Sequence, residues 1–274
     1  MRFRKKNNVW RLILDIPRSG SFNMAADQFL LESFIYNSKP VFRIYEWETP
    51  TISIGRNEVL DQGINLLECE NLGIPVIRRI TGGQAVLHGF DITYSFVGSI
   101  FNSKFSGNVL ENYRYISKGF YKFFKELGLN PEYYNNKRQI KNLDNHICFA
   151  VPSNYEILVE GKKIIGNAQK VKKIDILNNS SKRVFLQHGS ILLNNSFYLI
   201  SKIFPNINIK YLTRKIHSLE SIGVFPRVSK NKIKELIYKS FQENFDLEWE
   251  YKFWNDEELS SISNYEKKFK SIKS

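Results

Sequence analysis

The chain has 274 residues, and its 40 basic against 27 acidic side chains give a net charge of +13 at neutral pH. This length is sufficient to bury a substantial core. No apolar run approaches the roughly 20 residues that cross a bilayer, and the short apolar piece near the basic N-terminus is broken by Asp15. We therefore expect no signal peptide and no membrane segment, and we expect a cytoplasmic protein.

The positive charge indicates an acidic partner. Nucleic acid is one candidate, but the basic residues are spread along the whole chain, with no arginine-rich arm and no nucleic-acid-binding signature. An acidic protein explains the charge equally well. The composition alone therefore leaves both classes of partner open.

The chain has two cysteines, Cys69 and Cys148. They form no CxxC pair and lack the Cys/His spacing of a metal site, which excludes a disulfide framework and a zinc site of the usual kinds. Cys69 lies in a predicted helix, where we expect it to be a small buried hydrophobe. Cys148 lies in a loop broken by Pro152, and taken alone it is more often inert packing than a nucleophile.

The first part of the chain predicts short, alternating helices and strands. Apolar residues at helical spacing predict a core helix over residues 22–36, and strands are predicted over residues 41–47 and 51–56. A short helix over residues 61–72 then leads to a strand over residues 73–77. Such alternation predicts an α/β or α+β sandwich with helices packed on one face of a mixed sheet.

A glycine turn follows this strand at Gly82 and Gly83, and two more strands are predicted before Phe96. Because glycine has no Cβ, the backbone can adopt positive φ there and present N–H groups to a ligand. Arg78 and Arg79 lie upstream on opposite faces of their strand. Whichever arginine faces the turn adds a fixed cation. The alternative is an ordinary hairpin with two surface arginines.

The second part of the chain predicts a helix over residues 107–129, with a buried apolar stripe. The stripe consists of Leu110, Tyr113, Ile116, Phe120, Phe123 and Leu127. Strands over residues 155–159 and 163–166 are predicted to meet at a tight turn, and another strand covers residues 187–193. A helix is predicted over residues 229–245.

The final helix is predicted to begin after Asn255, because Glu258 follows three residues later in the spacing of a capping box.

Three other polar residues leave alternatives open. Periodicity does not decide which of Lys162 and Lys163 points inward, because both faces of their strand are apolar. His188 is either a base or an inward-facing histidine that fixes hydrogen bonds.

The stretch from residue 78 to residue 96 resembles lipoate-protein ligases and protein octanoyltransferases, which are related to biotin ligases. Their pattern, R-R-x-[TS]-G-G-x-A-V-x-H followed by Y-S, is matched by Arg78, Arg79, Thr81, Gly82, Gly83, Ala85, Val86, His88, Tyr94 and Ser95. Gln84 and Gly89 depart from it. Gly89 stands where the ligases usually have Asp, and the octanoyltransferases continue instead with an acidic residue such as Asp91, so this departure favours the octanoyltransferase branch.

Three later elements extend the resemblance. A G-x-K-[IVL]-x-G-x-A element contains Lys163, Gly166 and Ala168, and a Q-H-G-[SA]-I-L-L element contains His188. The cysteine-dependent octanoyltransferases also carry C-F-x-x-P-[SN], which places the acyl-accepting thiol at Cys148. ATP-dependent lipoate ligases need no such cysteine, so this element favours a transferase.

The resemblance implies a biotin/lipoyl protein ligase-like α/β (α+β) fold, with a catalytic domain over residues 1–200 and a small integrated helical cap over residues 201–274. It implies that Cys148 is the nucleophile and that Lys163 reaches the acyl carbonyl. The residues implied to line the substrate pocket are Arg78, Gly82, Gly83, Ala85, His88, Gly166, Ala168 and His188.

The implied reaction moves an octanoyl group from acyl-carrier protein to a lysine of a lipoyl domain, as in glycine cleavage H protein or the E2 subunits of 2-oxoacid dehydrogenases. A thioester donor requires neither ATP nor a metal or other cofactor, and we expect a monomer. The alternatives are an ATP-dependent lipoate ligase and an octanoyl amidotransferase between lipoyl proteins. A basic nucleic-acid-binding protein would explain the charge but not the cysteine and lysine elements.

Overall fold

The computed structural model describes residues 8–37, 39–60, 63–99, 109–134, 155–176 and 180–273. Its strands are β1 (Asn8–Leu14), β2 (Val41–Tyr45), β3 (Thr51–Ile54), β4 (Val76–Arg78), β5 (Val86–His88), β6 (Asp91–Ser99), β7 (Pro131–Tyr133), β8 (Ile157–Val159), β9 (Lys162–Lys163), β10 (Ile165–Ile176), β11 (Ser180–Leu192) and β12 (Leu247–Tyr251). Its helices are α1 (Gly20–Asn37), α2 (Leu66–Asn71), α3 (Val109–Glu126), α4 (Phe197–Ile203), α5 (Ile209–Lys215), α6 (Lys230–Phe245) and α7 (Asp256–Glu266).

The described strands form one large and two small sheets. The large sheet has the order β10-β11-β6-β2-β1-β12, and the small sheets have the orders β4-β3-β5 and β7-β8-β9. In the large sheet β1 pairs in parallel with β2 and β12, whereas the other pairs are antiparallel. The prediction of an α/β fold with mixed sheets is therefore confirmed.

The chain passes between sheets at two places that position polar side chains. Gly89 separates β5 of a small sheet from β6 of the large sheet, with φ at +104°. A Cβ there would lie 3.0 Å from the Pro50 Cα, so this crossing requires glycine. The second place is Ile164, where the chain leaves β9 of the other small sheet and enters β10 of the large sheet. Just before it, the Glu160–Gly161 turn joins β8 to β9 with positive φ at both residues. The predicted tight turn is confirmed.

The C-terminal part of the chain packs against the N-terminal part. The α6 helix packs on α3, and α7 packs on α1. Asn255 and Glu258 form the predicted capping box at the start of α7. The β12 strand joins the edge of the large sheet beside β1, and neither strand was predicted. The division of the chain at residue 200 stays a prediction.

Most predicted elements are present, with ends shifted by a few residues. The helices predicted over residues 22–36 and 229–245 correspond to α1 and α6. The apolar stripe of α3 was predicted correctly for Ile116, Phe120 and Phe123, which are fully buried. It was wrong for Leu110, whose side chain is 44% exposed in the first turn of the helix.

None of the helices in the described ranges is long and apolar enough to cross a membrane.

The contact between α3 and α6 predicts a specific sensitivity at Gly119. A Cβ on Gly119 would lie 2.6 Å from a ring carbon of Phe241, which is fully buried. We expect Gly119→Ala to lower the free energy of unfolding by about 1–2 kcal/mol, because overpacking costs more than the helix propensity that alanine adds. Urea unfolding measures it, with the exposed-site variant Lys118→Ala as a control that changes little. A Gly119→Ala protein as stable as the wild type would contradict this packing.

Candidate functional site

A pocket lies between α1, the β3 and β5 strands and the β10–β11 strand pair. Four of the predicted substrate-binding residues line it, namely His88, Gly166, Ala168 and His188. Trp47 and Met24 add apolar surface. The predicted residues Arg78, Gly82, Gly83 and Ala85 are not among the lining residues.

His88 is held from both ring nitrogens. Its Nε2 lies 2.9 Å from Ser53 Oγ, and its Nδ1 lies 2.9 Å from Asp91 Oδ2. The Trp47 ring stacks on the imidazole at a centroid distance of 4.0 Å and donates from its indole N–H to Thr93 Oγ1. The imidazole therefore has a fixed position at the seam between the small β4-β3-β5 sheet and the large sheet.

Burial and the adjacent carboxylate determine the charges of this pair. Burial lowers the pKa of His88 below its ordinary value, and Asp91 only partly opposes that shift. For Asp91, burial would raise the pKa, but its interaction with His88 and the hydrogen bonds from Ser190 and Thr93 lower it overall. At neutral pH the pair is therefore a neutral imidazole beside an ionised carboxylate.

His188 forms a second histidine–carboxylate pair on the opposite side of the pocket. Its Nδ1 lies 2.8 Å from Asp27 Oδ2, and its Nε2 lies 2.7 Å from Thr81 Oγ1. Asp27 also accepts a hydrogen bond from the Tyr45 hydroxyl and pairs with Arg43. His188 thus ties the first helix to the loop that carries the glycine turn, which suits the interpretation of an inward-facing, hydrogen-bonding histidine.

Arg79 is the arginine that faces the glycine turn. Its guanidinium donates to the carbonyl oxygens of Gly82 and Gln84 at 2.8 Å and to that of Ser53 at 2.7 Å. It also lines the pocket. Arg78, which was predicted to bind substrate, points the other way and donates to the carbonyls of residues 55, 56 and 58. Sequence periodicity placed the two arginines on opposite faces but did not identify the inner one.

The glycine turn packs closely against the end of β3. Gly83 has φ at +92°, and its carbonyl lies so close to Gly55 that a Cβ on Gly55 would be 1.8 Å from the oxygen. The N–H of Ala85 is occupied by Glu58, which also accepts from the N–H of Gly55. Gly82 is exposed and has open space around it. The surface available to a ligand here is therefore the exposed part of the turn.

Lys163 points inward, as the resemblance implied, and forms a buried ion pair that the sequence analysis missed. Its Nζ lies 2.9 Å from Glu156 Oε2, and both side chains are 2% exposed. Leu158 is paired with Lys163 across the β8–β9 hairpin, so Glu156, two residues before Leu158, shares the face of Lys163. Lys162 points outward, and its ammonium donates to the carbonyl of Thr213.

Cys148, the predicted nucleophile, lies outside the described residues, so its distance from Lys163 stays untested. Cys69 is buried in α2, and burial raises the pKa of its thiol to about 11. The prediction that Cys69 is a small buried hydrophobe is confirmed. Among the residues that the structure describes, no three His, Cys, Asp or Glu side chains are arranged to hold a metal ion.

Comparisons with known proteins agree with the resemblance. The profile of the lipoyl protein ligase A/B catalytic domain matches residues 19–242. The octanoyltransferase LipM of Carboxydothermus hydrogenoformans is 39% identical over 254 residues, covering 87% of each chain. The octanoyltransferase LipM of Bacillus subtilis is 32% identical over 251 residues, covering 88% of this chain and 86% of that protein.

Solved structures show the same fold. A lipoate-protein ligase A bound with ATP superposes with a TM-score of 0.74 at 22% identity, and the match covers 94% of each chain. The bipartite lipoate protein ligase of Thermoplasma acidophilum gives a TM-score of 0.73 at 20% identity, covering 94% of this chain and 92% of that one. At this level of identity the likeness concerns the fold and not the reaction.

The buried Lys163–Glu156 pair predicts a strong coupling between the two residues. We expect Glu156→Gln to lower the free energy of unfolding by about 3–5 kcal/mol, because it removes the carboxylate that neutralises Lys163. The double variant Glu156→Gln/Lys163→Met should recover most of this loss. Urea unfolding of the four proteins of the cycle measures the coupling. Additive losses in the double variant would contradict it.

His88 predicts a pH dependence of stability. Its pKa in the folded protein lies below the unfolded value of 6.5, so its contribution to stability is complete above pH 6.5 and is lost as the pH falls below that value. This group alone costs the wild type up to about 1.4 kcal/mol per pH unit in that range. The His88→Asn variant, whose amide nitrogen stands near the Nδ1 position and can still donate to Asp91, should therefore lose less stability between pH 7 and pH 5. If the free energy of unfolding decreased equally in the two proteins over this pH range, the result would contradict a neutral, buried His88.

Proposed function

The chain belongs to the lipoyl protein ligase A/B catalytic domain family, and we propose that it is a protein octanoyltransferase. It takes an octanoyl group from acyl-carrier protein and transfers it to a lysine of a lipoyl-domain protein, such as glycine cleavage H protein or an E2 subunit. The observation that carries the proposal is the 39% identity, over 87% of the chain, to a relative named octanoyltransferase. We propose that the enzyme acts as a monomer in the cytoplasm.

The pocket has the properties that a hydrocarbon chain requires. Its polar side chains are paired with one another, as Ser53 with His88 and Thr81 with His188 are, so they offer few free polar atoms to a ligand. The remaining walls come from apolar groups such as Met24. A site whose polar groups are already bonded to one another, and whose remaining surface is apolar, favours an alkyl tail over a sugar or nucleotide.

The reaction proceeds in two transfers. The Cys148 thiolate attacks the donor thioester, a C–S bond to Cys148 forms, and the bond to the carrier's sulfur breaks and leaves a thiol that takes up a proton. The acceptor lysine, as the free amine, then attacks the acyl-enzyme. A C–N bond forms, the C–S bond breaks, and the proton lost by the amine passes to the departing sulfur. Each step exchanges or consumes a thioester, so no ATP is needed.

Lys163 supplies a positive charge for the developing oxyanion of both steps. Glu156 supports this role, because its carboxylate lies 2.9 Å from the Lys163 Nζ and both side chains are buried. The same carboxylate fixes the direction of the Lys163 side chain. We assign to Arg78, Gly82, Gly83 and Ala85 the shaping of the loop beside the pocket, and to His88, Gly166, Ala168 and His188 the pocket walls.

Cys148→Ser tests the acyl-enzyme directly. We expect octanoyl transfer to a lipoyl domain to fall by at least about 10³-fold, because the hydroxyl replaces the nucleophilic thiolate. Intact-mass spectra of enzyme mixed with octanoyl-carrier protein should show the acylated species in the wild type and not in the variant. The control is Cys69→Ala, which removes the other thiol and should still be acylated. A fully active Cys148→Ser enzyme would exclude the mechanism.

A further inference from the structure

Four exposed cations form a surface on the two short helices that follow the large sheet. They are Lys202 on α4 and Lys210, Arg214 and Lys215 on α5. The segment from residue 197 to residue 219, which includes both helices, contains no Asp or Glu. We refer to these four residues as the basic α4–α5 surface.

The charges of the basic α4–α5 surface are not neutralised within the described part of the protein. On the neighbouring α6, by contrast, Glu46 pairs with Lys230 and Lys234, and Glu235 pairs with Lys239. None of the four surface cations forms an ion pair with a described carboxylate. A lysine that is paired with a carboxylate, as these three of α6 are, contributes little to the electrostatic field outside the protein. The basic α4–α5 surface instead presents its full positive charge to solvent.

The basic α4–α5 surface adjoins the strand that carries Lys163. The ammonium of Lys162 donates to the carbonyl of Thr213 in α5 at 3.0 Å. Directly after α5, Ile216 forms a parallel bridge with Lys163, and the N–H of His217 donates to the Lys163 carbonyl at 2.8 Å. A protein that docks on α5 is therefore next to the residue that we assign to the oxyanion.

We propose that the basic α4–α5 surface is the docking site for the acidic carrier protein that delivers the acyl thioester. This inference rests on the proposed function and specifies the partner of the same site. The donor carries its acyl group on a phosphodiester-linked arm, which the cations attract. The acceptor presents only a lysine side chain at its reacting end, which carries no phosphate for these cations to attract. The charge around Lys163 therefore favours the donor as the occupant.

Electrostatic docking of this kind acts mainly on the rate at which the carrier protein and the enzyme associate and on the affinity of their complex. Complementary charges raise association rates by about 10–10³-fold, and the gain decreases as salt shortens the screening length. Reversing these charges should therefore raise KM for the carrier protein and leave kcat unchanged. The effect should be largest at low ionic strength.

The test compares two variants with the same change in net charge. Lys210→Glu/Arg214→Glu/Lys215→Glu reverses three charges of the surface. Lys267→Glu/Lys268→Glu/Lys270→Glu reverses three exposed lysines at and after the end of α7 and serves as the matched control. We expect kcat/KM for octanoyl-carrier protein to fall at least about tenfold in the first variant at low salt, and much less in the control. The difference in kcat/KM between the two variants should decrease as salt is added.

Two further measurements separate docking from folding and from the proposed function. With a small uncharged octanoyl thioester as donor, the surface variant should match the wild type, whereas a general loss would indicate damage to the site and overturn the proposal. Titration of the carrier protein measures binding without catalysis. The proposal would also be overturned if the surface variant bound the carrier protein with unchanged affinity, or if the control variant lost as much affinity. A rise in KM for the lipoyl domain, with KM for the carrier protein unchanged, would overturn it as well. Absence of transfer in a wild type that still binds the carrier in a charge-dependent manner would contradict the proposed function and not the docking site.

Discussion

Arg79 is a buried cation, and its guanidinium group satisfies the carbonyls of Ser53, Gly82 and Gln84. A buried guanidinium is costly without hydrogen-bond acceptors, and these three carbonyls supply them. Through these hydrogen bonds Arg79 joins the glycine turn to the end of β3. Since Arg79 also bonds the Ser53 hydroxyl, and Ser53 lies against His88, the position of the turn is linked to one wall of the pocket.

The two histidines of the pocket come from different sheets, and each is anchored by an aspartate. His88 belongs to the small β4-β3-β5 sheet and His188 to the large sheet, so the pocket is located where the sheets meet. Asp27 extends the anchoring to α1. Both histidine side chains are held at each ring nitrogen, so an acyl chain at this seam contacts imidazoles of fixed orientation. Lys163 lies on the small β7-β8-β9 sheet, where it pairs with Glu156.

The sequence predicted what is local and missed what depends on distant pairing. Alternation and turn residues were sufficient for the Glu160–Gly161 hairpin, and the spacing of Asn255 and Glu258 was sufficient for the last capping box. The β12 strand was missed because it pairs with residues more than 200 positions away, which no local pattern indicates. The β1 strand also pairs with β2, 30 positions along the chain, but its short apolar run was not interpreted as a strand. Glu156 could have been found, since the turn position fixes the register of the hairpin and places it on the face of Lys163. The choice between Arg78 and Arg79 required the packed structure.

The central claim is that the acyl group arrives as a thioester and not as an adenylate. The most direct measurement incubates the enzyme and an apo lipoyl domain either with octanoyl-carrier protein in the absence of ATP or with free octanoate and ATP, and records the mass of the lipoyl domain. The account predicts complete octanoylation with the carrier protein alone and none with the free acid. Modification only with free acid and ATP, accompanied by release of AMP, would contradict it.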